Sequence, residues 1–338
     1  MIEFFKKIRW VNLVIIIFTM YAMRFLVIKQ ILMYNNKFLD KDEFFQLQLN
    51  EWCFLMLVLA TVFIAAGGYI INDYFDKKID ELNNPIKKES ETEEEEKFCC
   101  RKAMKYYNLF TIFGVVLGVG VSLLINQYMF GGIFLLVAGL LWFYSSTYKR
   151  IPLLGNLIVA FLSALVPLLV VIFEAPLLIE KYRDLFIAND EKDLFMLMYI
   201  ILGFSIFAFM LTLIREIVKD IEDVIGDKAY GKKTLAVAFG NGFATVAAGI
   251  LVVATIYFLF YFQTDIYPNI YIEPNLLNKK ISFWYIIILL IAPLSYVIYR
   301  LIANTTKQGM HITSMILKLI MFFGIAYSFV LYYGLKYL

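Results

Sequence analysis

The sequence predicts an all-α protein, a polytopic membrane bundle of nine transmembrane helices. Hydrophobic residues make up 62% of its 338 residues and charged residues 17%, whereas a soluble domain is about 45–50% apolar and about 25% charged. The apolar residues gather in nine runs long enough to cross a bilayer, which takes about 20 residues in a helix. A membrane β-barrel is excluded, because its strands alternate apolar and polar residues and the run 251–260 is apolar on every face.

Each run is predicted to be helical, because backbone polar groups inside lipid must be satisfied within the segment itself. The first run follows Lys6 and Lys7 but carries no small-residue cleavage pattern, so we interpret it as a span and not as a signal peptide. The second and sixth runs end in acidic motifs, and the fourth ends at the basic pair Lys149 and Arg150. The predicted spans are 10–34, 51–71, 106–126, 128–147, 152–173, 194–214, 236–262, 281–302 and 312–335.

The distribution of basic residues predicts a cytosolic N-terminus and an external C-terminus. In this orientation 20 Lys and Arg residues fall in inner segments and 9 in outer segments, as the positive-inside rule requires. The whole chain, 1–338, is predicted to form a single domain. Its longest inner loop, at about 83–100, is rich in glutamate and is predicted to be flexible.

The formal net charge of +3 is too small to favour a nucleic-acid partner, and the basic residues lie in loops and form no stripe. Membrane lipids are therefore the expected surroundings, and the sequence leaves the oligomeric state open. Arg24 falls inside the first span. Two interpretations of it stay open, an inward contact with an acidic acceptor group or a reach to the outer interface.

Three aspartates lie at the inner end of the second span. Asp73, Asp76 and Asp80 are spaced i, i+3, i+7, which places their carboxylates on one face of a helix. Like charges in this arrangement repel one another unless a cation neutralises them. Ionisable groups at membrane depth are functional candidates by default.

The sixth span ends in the same pattern. Asp220, Asp223 and Asp227 repeat the i, i+3, i+7 spacing, and we expect them to share a helical face as the first three do. Because even-numbered spans run inward in the predicted topology, both clusters emerge on the cytosolic side.

The two clusters predict a magnesium-dependent diphosphate site. Hard oxygen ligands favour Mg²⁺ or Ca²⁺, and Mg²⁺ is typically held by one or two carboxylates together with substrate phosphates. Six aspartates and a diphosphate carry more negative charge than two Mg²⁺ ions neutralise, so cations are needed nearby. We assign metal binding to the six aspartates and diphosphate binding to Asn72, Arg215, Lys219, Lys149 and Lys228.

At these residues the sequence resembles the UbiA superfamily of intramembrane prenyltransferases. Asn72, Asp73, Asp76 and Asp80 match its first signature in full, and Asp220, Asp223 and Asp227 match its second. The segments 71–76, 141–150 and 215–227 resemble in particular the digeranylgeranylglyceryl phosphate synthase branch. Where members often carry Arg-Pro-x-Asn before the first span, this chain has Arg9 and Asn12 around Trp10 and Val11.

The resemblance implies a nine-helix bundle whose central cavity opens to the cytosol and to lipid, with Mg²⁺ and an isoprenyl diphosphate donor. The implied reaction transfers a polyprenyl group, such as geranylgeranyl, to a lipid-like acceptor such as prenylglycerol phosphate in a bacterial inner membrane. Asp73, Asp220 and Lys149 are the expected catalytic residues. Two alternatives remain open, an aromatic quinone precursor or haem as the acceptor, and an ion-coupled transporter in place of an enzyme.

Overall fold

A computed structural model describes residues 8–38, 44–83, 93–188, 192–266 and 276–336. Every regular element in these ranges is helical. The first helix, α1, comprises Trp10–Tyr21, a π-helical turn at Ala22–Ile28, and Lys29–Asn35. The next are α2 Glu51–Asn83, α3 Glu93–Leu124, α4 Gly131–Ser146, α5 Leu154–Ala188, α6 Lys192–Glu222, α7 Val224–Ala229, α8 Leu235–Phe239 and α9 Asn241–Tyr261. The last two are α10, which comprises Leu276–Tyr285, a π-helical turn at Ile286–Ile291 and Ala292–Ala303, and α11 Lys307–Lys336.

The prediction of nine transmembrane helices is confirmed, since nine helices in the described ranges are long and apolar enough to span a membrane. Several of them extend beyond the predicted spans. Helix α2 continues through the aspartate motif to Asn83. Helix α3 begins at Glu93, so the part of the predicted acidic loop from 93 to 100 is helical. The N-terminus-inside orientation stays a prediction from the basic residues.

The chain divides into two compact units. Unit 1 comprises 1–18, 49–158 and 224–237, and unit 2 comprises 19–48, 159–223 and 238–338. In unit 1, α2 packs against α3, and α4 packs against both. A core around Ile70, Ile71 and Tyr107 joins α2 and α3 to the start of α1.

The contact between α3 and α4 depends on a glycine. A Cβ added at Gly118 would lie only 2.3 Å from Phe134 Cγ, whereas one at Gly120 would meet nothing nearer than Met56 Cε at 3.6 Å. Phe134 is itself buried. Close helix approach through small residues is a common way to pack helices in membranes.

Gly118→Ala is therefore expected to lower the unfolding free energy by about 1–3 kcal/mol through overpacking. The matched change Gly120→Ala is expected to be neutral or to stabilise by up to about 1 kcal/mol through helix propensity. Thermal unfolding of the two variants in detergent measures the difference. Equal stability of the two variants would contradict the proposed packing.

In unit 2, α6 packs against α9 and α11. A buried polar cluster connects α10 and α11 with the π-helical turn Phe262–Ile266, which follows α9. Ser282 Oγ lies 2.8 Å from Gln263 Oε1 and 2.6 Å from Tyr327 Oη. Because each of these polar groups has a partner inside the unit, none is left unsatisfied at membrane depth.

Unit 2 also contains a buried ion pair that answers the question of Arg24. Arg24 Nη1 lies 3.1 Å from Glu174 Oε2, and the two side chains are 1% and 0% exposed. The other carboxylate oxygen of Glu174 accepts a hydrogen bond from the backbone N–H of Gln48. The inward interpretation of Arg24 therefore has the right direction, but the partner that the structure shows is a glutamate of the same chain and not an acceptor group.

The same ion pair accounts for the length of α5. The predicted span ended at residue 173, directly before Glu174, whereas the helix continues past Glu174 to a kink at Tyr182, and a second helical stretch then ends at Ala188. A charge inside an apolar segment is tolerated when it is paired and hydrogen-bonded. Arg24 and the Gln48 N–H provide those partners, so Glu174 does not end the helix.

Candidate metal and diphosphate site

The first aspartate motif lies on one unbroken helix, as predicted. Asp73, Asp76 and Asp80 all belong to α2, and the side chain of Asp80 lies outside the part of the chain that the structure describes. Arg9 Nη2 lies 3.1 Å from Asp73 Oδ1. Lys149 Nζ lies 2.6 Å from Asp76 Oδ1, so each of these two carboxylates faces a cation from another element of unit 1.

Asn72, the first residue of the motif, has a buried side-chain oxygen. Its Oδ1 has no hydrogen-bond partner among the described residues. A buried polar atom without a partner calls for an explanation. An amide oxygen is a hard ligand that can bind Mg²⁺ or accept a hydrogen bond from a water molecule. Asn72 is thus suited to contact a bound ion or its hydration shell.

The second aspartate motif is interrupted. Helix α6 ends at Glu222, Asp223 lies in a turn, and Asp227 belongs to the short helix α7. The expectation of one helical face is therefore wrong for Asp227. Asp220 and Asp223 belong to unit 2, while Asp227 belongs to unit 1 with the first motif.

The end of α7 directs a lysine back onto Asp227. Gly231 has a φ of +67°, a left-handed conformation that favours glycine. The Gly231 N–H donates to Lys228 O at 3.2 Å, and the Lys232 N–H donates to Asp227 O at 2.9 Å. These two bonds form a Schellman motif, in which the residue after the glycine folds back over the last helical turn.

Lys232 joins the two motifs within unit 1. Its Nζ lies 3.2 Å from Asp227 Oδ1 and 3.6 Å from Asp76 Oδ1. Together with Lys149, this gives a cluster of two carboxylates and two ammonium groups, which we call the Asp–Lys cluster. The sequence analysis did not assign Lys232 to the site. Gly231, which directly precedes Lys232 and closely follows the short helix α7, was the signal that could have identified it.

Burial opposes ionisation in the Asp–Lys cluster. It lowers the pKa of the Lys149 ammonium, and the nearby Asp76 carboxylate opposes this shift. Burial also raises the pKa of the Asp227 carboxyl, against the pull of Lys232. Each ionised group therefore depends on its partners, as expected for charges removed from water.

Two predicted diphosphate-binding residues of unit 2, Arg215 and Lys219, contact the same glutamate, to which the sequence analysis assigned no role. Glu216 Oε1 lies 2.8 Å from Arg215 Nη1 and 3.9 Å from Lys219 Nζ. The Nε of Arg215 is buried and has no hydrogen-bond partner among the described residues. Lys228, the remaining predicted cation, is exposed.

His311, to which the sequence assigned no role, lies beside the second motif. Its Nδ1 is 2.9 Å from Glu222 Oε1, and its side chain is 60% exposed. This contact connects the start of α11 to the end of α6 within unit 2.

No group of three Asp, Glu, His or Cys side chains in the described ranges is arranged to hold a metal ion. Asp76 and Asp227 both contact the ammonium of Lys232. Mg²⁺ usually takes only one or two carboxylates and completes its shell with water and substrate phosphate. Two aspartates and the free Asn72 oxygen therefore fit the ion's chemistry.

A sequence model of the UbiA prenyltransferase family matches residues 45–323, which is most of the chain. The chain belongs to the UbiA prenyltransferase family. The resemblance inferred from the two aspartate motifs is thereby confirmed, and so is the assignment to a family of multi-pass membrane prenyltransferases.

Two relatives from this family carry the name digeranylgeranylglyceryl phosphate synthase. The protein of Methanosphaera stadtmanae is 33% identical over 263 residues, which cover 76% of this chain and 80% of the relative. The protein of Ignicoccus hospitalis is 35% identical over 193 residues, which cover 57% of this chain and 56% of the relative. The chain thus spans little more than half of the second relative's length.

Solved structures of UbiA proteins share the fold. A digeranylgeranylglyceryl phosphate synthase structure covers 99% of this chain with a TM-score of 0.56 and 21% identity, and 98% of that chain is covered. A UbiA homologue from Archaeoglobus fulgidus, bound to DMAPP and Mg²⁺, covers 96% of this chain with a TM-score of 0.51 and 16% identity, and 98% of that chain is covered.

Proposed function

We propose that the protein transfers a polyprenyl group, geranylgeranyl in the first instance, from its diphosphate to a lipid-like acceptor in a Mg²⁺-dependent reaction. The Asp–Lys cluster is the observation that carries this proposal, because it joins acids of both motifs with cations suited to phosphate. The names of the two relatives support a prenylglycerol phosphate acceptor. The DMAPP and Mg²⁺ of the Archaeoglobus homologue support the donor class and the ion.

The residues divide into an ion-binding group and a diphosphate-binding group. The ion-binding group is Asp73, Asp76, Asp80, Asp220, Asp223 and Asp227. The diphosphate-binding group is Asn72, Arg215, Lys219, Lys149 and Lys228. Mg²⁺ would supply Lewis-acid assistance to the departing diphosphate.

Lys149 and Arg215 are the cations best prepared for the leaving group. The Lys149 side chain is only 6% exposed, so the field of its ammonium group acts with little screening by water. The buried Nε of Arg215 lacks a partner among the described residues, and a guanidinium can contact two phosphate oxygens at once. These groups stabilise the charge that develops as the allylic C–O bond breaks.

Asp73 is the proposed proton acceptor. The acceptor hydroxyl oxygen bonds to the allylic carbon as the bond from that carbon to the diphosphate oxygen breaks. Diphosphate leaves with the electron pair, and the hydroxyl proton passes to the Asp73 carboxylate. The Asp73 side chain is 35% exposed and contacts Arg9, so an acceptor can reach its carboxylate. Asp220 is the proposed catalytic residue of the second aspartate motif, where it would help to hold the ion.

The proposed location is a bacterial cytoplasmic membrane, with the site on the cytosolic side. In that orientation the prenyl chain lies among apolar helices while the diphosphate stays at the interface. The experiment incubates purified protein with labelled geranylgeranyl diphosphate and Mg²⁺. Prenylglycerol phosphate, an aromatic quinone precursor and haem are offered separately, and the products are identified by mass.

A product with prenylglycerol phosphate that disappears on chelation of Mg²⁺ is the expected outcome. A product with only the aromatic compound or haem would identify a different acceptor class. Ion flux in liposomes, without product from any acceptor, would favour the transporter and overturn the proposal.

A further inference from the structure

The ammonium of Lys232 lies between one carboxylate from each aspartate motif, where a shared cation would lie. Its side chain is 13% exposed, and its Nζ contacts both Asp227 and Asp76. We propose that Lys232 competes with the divalent ion for these two carboxylates and moves to the diphosphate when the donor binds. The ion then binds tightly only together with the donor. This inference rests on the proposed function.

The charges of the Asp–Lys cluster favour this exchange. Two carboxylates and two ammonium groups sum to zero, so the cluster offers no net attraction to an ion that arrives alone. A divalent ion at Asp76 would lie within a few ångströms of two ammonium groups. Like charges repel more strongly in a partly buried site than in water. A diphosphate ester brings about three negative charges, which gives the displaced ammonium groups a new partner.

Hydrogen bonds hold the backbone around Lys232 in place, so the proposed exchange involves only its side chain. The Schellman motif fixes the Lys232 N–H on Asp227 O, and the Lys233 N–H donates to Arg150 O at 3.2 Å. Arg150 adjoins Lys149, so this bond also fixes the loop that carries the second ammonium. A lysine has a flexible four-carbon stem and three rotatable donors. Its ammonium can therefore change partners while the Cα stays in place.

The test compares Lys232→Met with Lys233→Met, which removes the same charge from the exposed neighbouring side chain. Calorimetry on the full-length protein in detergent measures two affinities, for Mg²⁺ alone and for pyrophosphate with Mg²⁺ present. In Lys232→Met we expect Mg²⁺ alone to bind about tenfold more tightly and pyrophosphate to bind about tenfold more weakly, as for one charge-assisted contact. Lys233→Met is expected to change both affinities less than about twofold.

Lys232→Arg serves as the conservative variant and is expected to keep the weak binding of Mg²⁺ alone. A loss of both affinities in Lys232→Met, or no change in either, would overturn the competition while leaving the proposed function intact. Wild-type protein that binds no pyrophosphate with Mg²⁺ present, and is unaffected by Asp76→Asn, would overturn the proposed function and this inference with it.

Discussion

Asp76→Asn is expected to slow prenyl transfer by about 10²- to 10³-fold, the typical cost of removing one preorganised charge from a catalytic site. The change keeps the shape of the side chain and removes its charge. Asp76 contacts both ammonium groups of the Asp–Lys cluster, so its loss weakens ion binding and releases Lys149 from its position. Initial rates at saturating donor and Mg²⁺ measure the effect.

Asp184→Asn is the matched control, because Asp184 is an exposed aspartate on α5 to which no role is assigned. It is expected to leave the rate within about twofold. Wild-type turnover in Asp76→Asn, with the melting temperature unchanged, would remove the metal and diphosphate assignment.

Asp220→Asn extends the test to the second cluster. If both clusters hold ions around one diphosphate, the double variant with Asp76→Asn should be little slower than the slower single variant, because groups that act as a unit are not additive. Effects that multiply would instead indicate two independent sites. The cycle therefore measures whether the two motifs act as one unit.

Glu174→Gln is expected to destabilise the protein by about 3–5 kcal/mol, since it leaves the buried guanidinium of Arg24 without its counter-charge. The carboxylate also accepts the Gln48 N–H, and a glutamine can satisfy at most part of this demand. Thermal or denaturant unfolding in detergent measures the loss. The matched control is Glu180→Gln, an exposed glutamate on the same helix α5, for which we expect less than about 0.5 kcal/mol.

Replacing both partners of the pair separates charge from packing. Arg24→Met combined with Glu174→Met is expected to be much less destabilising than Glu174→Gln, because apolar side chains of similar volume need no partner. A double variant as unstable as the single one would show that the pair contributes through shape and not through charge.

The fold was largely predictable because lipid imposes a simple rule on sequence. Long apolar runs must be helices, and the nine predicted runs correspond to nine helices, among the residues that the structure describes, that are long and apolar enough to span a membrane. The predicted helix length was wrong where a charged residue is neutralised by a partner far away in the sequence. Glu174 marked the end of a span in the sequence, and only the contact with Arg24, 150 positions earlier, reveals why α5 continues.

The site was predictable where its residues lie on one helix. The spacing of Asp73 and Asp76 fixes their common face on α2. Spacing could not predict that the second motif would break before Asp227, or that Lys232 would fold back on it. The break lies in the turn at Asp223, and the return of Lys232 depends on the turn at Gly231. The partner of Lys232 from the first motif lies more than 150 positions away in the sequence.

Because the acids of the Asp–Lys cluster are paired within the chain, we expect the protein to fold without a bound metal ion. A zinc finger needs its ion to fold, because the ligands have no other partners. Here Asp76 and Asp227 already contact ammonium groups of their own chain. The chain can therefore be synthesised and inserted into the bilayer while divalent ions are scarce. Removal of Mg²⁺ by chelation would then stop the reaction without unfolding the protein.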